Sequence, residues 1–261
     1  MFCKLLKNDL KKNMRWMWIL FVSMILVAGI TRGFKELGEN IVFFKVLGIF
    51  FDSVFYSLAV NVILQPFLRN FFNFTKSFYG DESYLTHTLP VTKKQLINSK
   101  FLTAFIEICL GFVCLVVSLL IMFVSPTFFE TLKLLLSTMI LGNFSLALVL
   151  TLFIVLVVVE FLMFITIIFY SIILAYKSKE KRVLKTFMLT AAFSFIALTV
   201  LAVIMVSVLL INGVDLNSSM LILSNNAFIS ILLTGIIVYS AVIVIFYLLA
   251  KKEFSKGVNV D

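Results

Sequence analysis

Charge, histidine, proline and cysteine are all scarce in this chain. Only 13% of its 261 residues are charged, against about a quarter in a soluble domain. So few charges cannot cover an aqueous surface, which excludes an ordinary soluble globular protein. A single histidine, His87, and no HExxH segment exclude the common zinc hydrolase patterns. No GxxxxGKS or GxxxxGKT segment is present, so the chain has no P-loop for ATP, and no GxSxG elbow offers a serine nucleophile. Cys3, Cys109 and Cys114 are an odd set, two of them inside an apolar run. They form neither a disulfide framework nor a CxxC site and read as small apolar fillers. No catalytic residue, cofactor or metal ligand is expected, and no internal repeat or low-complexity linker is visible.

Apolar sequence is abundant instead. Hydrophobic residues make up 62% of the chain, with 30 Phe. A membrane span needs about 20 apolar residues. The runs that qualify are 16–31, 43–68, 101–125, 149–175, 187–211 and 227–250. Trp16 to Ile30 has a basic segment before it but no small-residue cleavage site after it, so it reads as a retained first span rather than a signal peptide.

The basic residues set the direction of these spans. Eighteen of the 22 Lys and Arg fall in four places: the N-terminus, the stretch after the second run, the stretch after the fourth, and the C-terminus. The other side holds only Arg32, Lys35, Lys45 and Lys133. Cytoplasmic loops carry the excess of Lys and Arg, so both termini are expected in the cytoplasm. The net charge of +9 therefore belongs to loops beside anionic headgroups and not to nucleic-acid binding.

The expected fold is an all-α integral membrane protein, a single domain over 1–261 with six transmembrane helices. Two regions add detail. In residues 1–15, Phe2, Leu5, Leu6, Leu10 and Met14 recur at helical spacing with basic residues between them. That pattern predicts an amphipathic helix lying in the membrane plane against lipid. Leu134 to Tyr176 is about twice as long as one span needs. Splitting it would put the basic segment 177–185 outside, so one span is preferred. An outer helix from about Thr127 to Leu141 would precede it, with a break at Gly142–Asn143.

The long polar segment 69–100 is the most specific part of the chain. From Thr75 it reads TKSFYGDESYLTHTLPVTKKQLINSK. Gly80, Asp81, Glu82 and Ser83 are turn and helix-capping types. Tyr84, Leu85, Thr88 and Leu89 then recur at helical spacing, and Pro90 ends that short helix. Thr92 and Gln95 have the spacing of a capping box, so a second helix is expected to start there. It runs through Lys93, Lys94 and Lys100 into the third span. Tyr84, Leu85 and Leu89 would be an exposed apolar group, the mark of a partner site.

At this point the chain resembles a family. Leu89-Pro90-Val91-Thr92-Lys93-Lys94-Gln95-Leu96, followed by Ser99-Lys100 at the head of the third span, is similar to a stretch in the permease subunits of ABC-2 type exporters. The upstream Gly80-Asp81-Glu82-Ser83-Tyr84-Leu85-Thr86 resembles the acidic, Tyr-Leu-Thr lead of Gram-positive members, with Ser83 where Gly is frequent. The resemblance implies a bacterial plasma-membrane protein that moves a substrate of unspecified class (peptide, lipid or drug-like) without hydrolysing ATP itself. The implied partners are an ATP-binding cassette ATPase subunit and a second permease subunit, identical or homologous. The implied ATPase-coupling residues are Gly80, Asp81, Glu82, Tyr84, Leu85, Leu89, Pro90, Thr92 and Lys94. The family's short hydrophobic element between spans five and six has only Met220 to Leu223 as its counterpart here. A bacterial origin would also leave the Asn217-Ser218-Ser219 sequon unused.

Asp52, Glu107 and Glu160 lie within the apolar runs, with no Lys or Arg expected at comparable depth. An ionisable group in the bilayer faces the protein interior or a wet cavity. Glu107 and Glu160 are the candidates for lining a substrate path, against the alternative of protonated carboxyls hydrogen-bonded to a neighbouring helix. That alternative is favoured for Asp52 and Glu107, and for Glu160 the two stand level. If Glu107 and Glu160 carried protons, the chain would be a proton-coupled secondary transporter that needs no ATPase. A non-transporting scaffold or sensor is the third reading.

Overall fold

A computed structural model describes residues 2–38, 41–80, 82–88, 90–123, 128, 130–131, 133–134, 140–141, 146–178, 181–214 and 223–256. Long helices dominate these residues, and six are long and apolar enough to cross a membrane. The chain divides into two compact units, Met1–Phe128 and Phe129–Asp261.

The first unit contains α1 (Phe2–Gly38), α2 (Val42–Tyr79), the short α3 (Ser83–Thr88) and α4 (Lys93–Phe123). On α1 the buried residues Met14, Met17, Phe21, Met24, Ala28 and Thr31 are spaced alternately three and four apart. That spacing is the seam of a helix packed along its length against neighbours. Phe55 and Val62 of α2 and Cys114 and Met122 of α4 complete the core. Residues 2–15 are helical, but they are not a separate element: α1 continues unbroken from Phe2 to Gly38. At 1.5 Å per residue such a helix is about 55 Å long, well beyond the ~30 Å hydrocarbon layer. Its buried stripe starts at Asn13, so packing against α2 and α4 reaches down to the expected in-plane segment.

The second unit contains α5 (Leu146–Ala175), α6 (Arg182–Ile211) and α7 (Asn225–Ser255). A two-residue parallel ladder pairs β1 (Ile140–Leu141) with β2 (Leu223–Ser224). Met163 and Ile167 of α5, Ala197 of α6 and Tyr239 of α7 form its buried centre. An aromatic triad adds one ring from each helix. Tyr170 lies 5.4 Å from Phe193 and 5.5 Å from Phe246, and Phe193 lies 5.5 Å from Phe246. At one end, Lys177 and Lys256 both pair with Glu253. Phe128, Glu130, Thr131, Lys133 and Leu134 are helical, but the expected outer helix does not reach Leu141: Ile140 and Leu141 are extended and pair with β2, and the remaining residues of that stretch, including the break at Gly142–Asn143, lie outside the described residues.

Gly235 on α7 is closely covered by side chains of α5 and α6. A Cβ there would lie 2.6 Å from Leu156 Cδ1 and 3.0 Å from Met205 Cε. Gly235→Leu is expected to destabilise the protein by about 1–3 kcal/mol, the usual cost of overpacking. Thermal unfolding in detergent reads the loss. Gly29→Ala, whose Cβ would meet nothing within 4 Å, is expected to leave the transition unchanged or raise it.

Candidate functional site

The short helix, break and second helix expected after the second span are all present. Tyr79 ends α2, and Gly80 is extended. The backbone turns through a Ser83 N–H to Gly80 carbonyl bond of 2.9 Å. The Thr86 N–H and hydroxyl both donate to the Glu82 carbonyl, at 3.0 and 2.9 Å, closing the one short turn of α3. Pro90 and Val91 bend the chain, and α4 begins at Lys93. The capping box forms in both directions. The Gln95 N–H donates to Thr92 Oγ1 at 3.3 Å, and the Thr92 N–H donates to Gln95 Oε1 at 3.2 Å. Two otherwise orphaned helix donors are thereby satisfied. From Lys93 to Leu110 the helix has neither glycine nor proline.

The site residues named from sequence fall into three groups. Tyr84 is 76% exposed on α3, and Pro90, Thr92 and Lys94 are exposed beyond it. Glu82 is drawn inward. Asp81, Leu89 and the side chain of Leu85 lie outside the described residues.

Glu82 ties the loop to two other helices. Lys12 of α1 donates to both carboxylate oxygens at 2.9 Å, and Lys76 of α2 lies 3.5 Å from one of them. The Lys12 bond comes first in holding the Glu82 pKa below the usual glutamate range, with the positive charge of Lys12 and Lys76 adding to it. A depressed folded pKa means that the contribution to stability is complete above the unfolded value of about 4.3. It is lost as the pH falls through the lower folded value.

A second, less exposed set of polar groups lies behind this tether. Asp9 of α1 accepts from the Lys100 ammonium at 2.8 Å and from the Ser99 hydroxyl at 2.9 Å. Lys100 also donates to Ser77 Oγ of α2 at 3.3 Å. Arg69 donates to the Asn13 carbonyl at 3.0 Å and stacks over Trp16. Asn73 donates to Asn13 Oδ1. Deeper still, Asn70 Nδ2 donates to Glu107 Oε2 at 2.7 Å, and Glu107 is fully buried. Thr103 Oγ1, one turn away on α4, is buried without a hydrogen-bond partner among the described residues. Together these bonds clasp α1, α2 and α4 at the end where α3 emerges. Sequence reading missed Asp9, Asn13, Asn70, Asn73 and Ser99. Their signal was present as polar residues interrupting apolar helical faces.

The acids of the apolar runs are now placed. The absence of a deep basic partner is corrected for Asp52: Lys35 lies 2.9 Å from it. Lys35 stands near the far end of α1, and the antiparallel α2 brings Asp52 beside it. Glu107 has an asparagine partner on a neighbouring helix. Glu160, in the other unit, is partnered by the hydroxyl of buried Tyr239 on α7. The cluster provides a fixed connection between the short α3 and the ends of the long helices α1, α2 and α4.

The chain matches no family profile, no curated protein and no solved structure.

The Asp9–Lys100 pair is mostly buried, with side-chain exposures of 14% and 13%. Asp9→Asn is expected to cost about 1–3 kcal/mol, between an exposed pair and a stranded buried charge. Lys100→Met should cost a similar amount, and the double mutant less than the sum in a thermal-unfolding cycle. Glu82→Gln is expected to free the loop at neutral pH, read as faster limited proteolysis between Gly80 and Thr92. The wild type should show the same sensitivity only in acid, below the ordinary glutamate range.

Proposed function

We propose that this chain is the membrane subunit of an ATP-driven exporter of the ABC-2 type. In this reading both termini and the loop 69–100 face the cytoplasm, as the distribution of 18 of 22 basic residues requires. Two such subunits, identical or homologous, enclose the substrate path, and a separate ATPase supplies the energy.

One observation carries the reading. A short helix with an exposed Tyr84 is joined, through a bend and a two-way capping box, to a helix that continues into a membrane span. Exposed apolar groups on the aqueous side of a membrane protein mark a partner surface. A partner that pushes α3 moves Glu82 with it, and through Glu82 the ends of α1 and α2. The same push reaches α4 through the capped turn. Because α4 has no glycine or proline before Gly111, it transmits the push as a rod and does not absorb it.

The test is co-purification from the native membrane. The wild-type chain is expected to carry a second polypeptide with a P-loop and ATPase activity, and Tyr84→Asp to lose it while still inserting. A chain that purifies alone without ATPase activity would contradict the reading. Lys94 lies in the first turn of α4, where proline is tolerated, so the rod is tested deeper. Asn98→Pro, which breaks an interior helical bond at about 3 kcal/mol, is expected to abolish substrate-stimulated ATPase while the partner stays bound.

A further inference from the structure

We propose a phospholipid-binding site in the cleft between the end of α1 and the start of α2, with the lipid phosphate held by Lys45 and Lys35. This end of the first unit lies opposite the clasp, and the site does not depend on the exporter reading.

The cleft has a volume of about 330 Å³ and is lined by Lys35, Gly38, Lys45, Gly48, Ile49 and Asp52. Among its described lining residues two lysines face one carboxylate, and Glu39, next to Gly38, lies outside the described residues. Asp52 offsets Lys35 at 2.9 Å, and Glu36 offsets Arg32 one turn away at 2.9 Å. Lys45 has no carboxylate partner among the described residues. Lysines here run against the general placement of positive charge in this chain. Only four of 22 basic residues lie away from the basic loops, and three of those four, Arg32, Lys35 and Lys45, gather at this end of α1 and α2. Arg32 and Lys35 have acidic partners at this end, which leaves Lys45 as the basic group to be accounted for.

The two glycines shape the space. At Gly38 a Cβ would lie 2.9 Å from Lys45 Cα, so the missing side chain lets α1 and α2 touch there and fixes Lys45 at the cleft. At Gly48 such a Cβ would sit in ordinary contact with Lys35 and Phe34 at 3.8 Å, so that wall is closely packed. The surroundings are apolar. Phe34 stacks on Phe44 at 6.0 Å and lies 5.2 Å from Phe51. Outward from them Phe43, Ile49 and Phe50 are each at least 60% exposed.

A charged cleft set in an exposed aromatic and aliphatic wall is complementary to an amphiphile. A soluble anion would use the lysines and leave the wall idle. A phospholipid uses both, with the phosphate on the ammonium groups and an acyl chain along Ile49 and Phe50. Asp52 on the same lining offers a partner for a headgroup ammonium, which makes phosphatidylethanolamine the fitting probe.

Native mass spectrometry of the full chain in mild detergent, titrated with phosphatidylethanolamine, tests the site. The wild type is expected to retain the lipid. Lys45→Glu should bind it about tenfold more weakly, the loss of one charge-assisted contact. Lys45→Ala should fall between them, and Lys133→Glu, a basic residue outside the cleft, should match the wild type. Lys45 is exposed, so these variants are expected to unfold at the wild-type temperature. Equal retention by Lys45→Glu and the wild type would overturn the proposal. So would efficient displacement by glycerol 3-phosphate, which has no acyl chain and would mark a site for soluble phosphate.

Discussion

A buried polar side chain must find its partner inside the protein, and the first unit is organised by that constraint. Asn70 reaches Glu107 across the α2–α4 contact, and Asp9 reaches Lys100 and Ser99 across the α1–α4 contact. A single interhelical hydrogen bond of this kind is worth only about 0.6–2 kcal/mol. Its value lies in position: an apolar seam can slide by a turn at modest cost, whereas a slid seam would strand a buried carboxylate. The methionine and phenylalanine seam of α1 supplies the adhesion, and the polar clasp sets the register.

That register has a consequence at the surface. Because Glu82 is held by Lys12 and Lys76, α3 does not hang from a loose loop but stands on the ends of α1 and α2. It also leads into α4 through a bend too short to be slack. In the second unit polar ties among the described residues sit at the helix ends, where Lys177 pairs with Glu253 and Asn212 donates to Ser230. Its three helices meet through the Tyr170, Phe193 and Phe246 rings and the Gly235 contact, with Glu160 and Tyr239 as a polar pair.

Much of this was legible in the sequence where the signal is local. Apolar length announced six helices long and apolar enough to cross a membrane. Thr92 and Gln95 announced a capping box because both of its bonds lie within one helical turn. Pro90 announced the break before it. What was not legible depends on which faces meet. Lys35 and Asp52 are 17 residues apart, in a stretch read as a loop followed by a span, and only antiparallel packing of α1 on α2 makes them a pair. Residues 2–15 carry an amphipathic pattern that a membrane surface would satisfy. The same pattern also suits the base of a helix whose Asp9, Lys12 and Asn13 are taken up by neighbours, and periodicity does not distinguish the two. The three-and-four spacing from Met14 to Thr31 was readable as a packing seam, but it was masked by an apolar background that makes every face look alike.

The most direct test of the central claim, that α3 is where a separate ATPase pushes on this protein, is photocrosslinking from position 84 in the native membrane. A photoreactive residue in place of Tyr84 is expected to form an adduct with an ATP-binding subunit, at a yield that changes when ATP is trapped unhydrolysed. Adducts to lipid alone, with no protein partner in either nucleotide condition, would contradict the account.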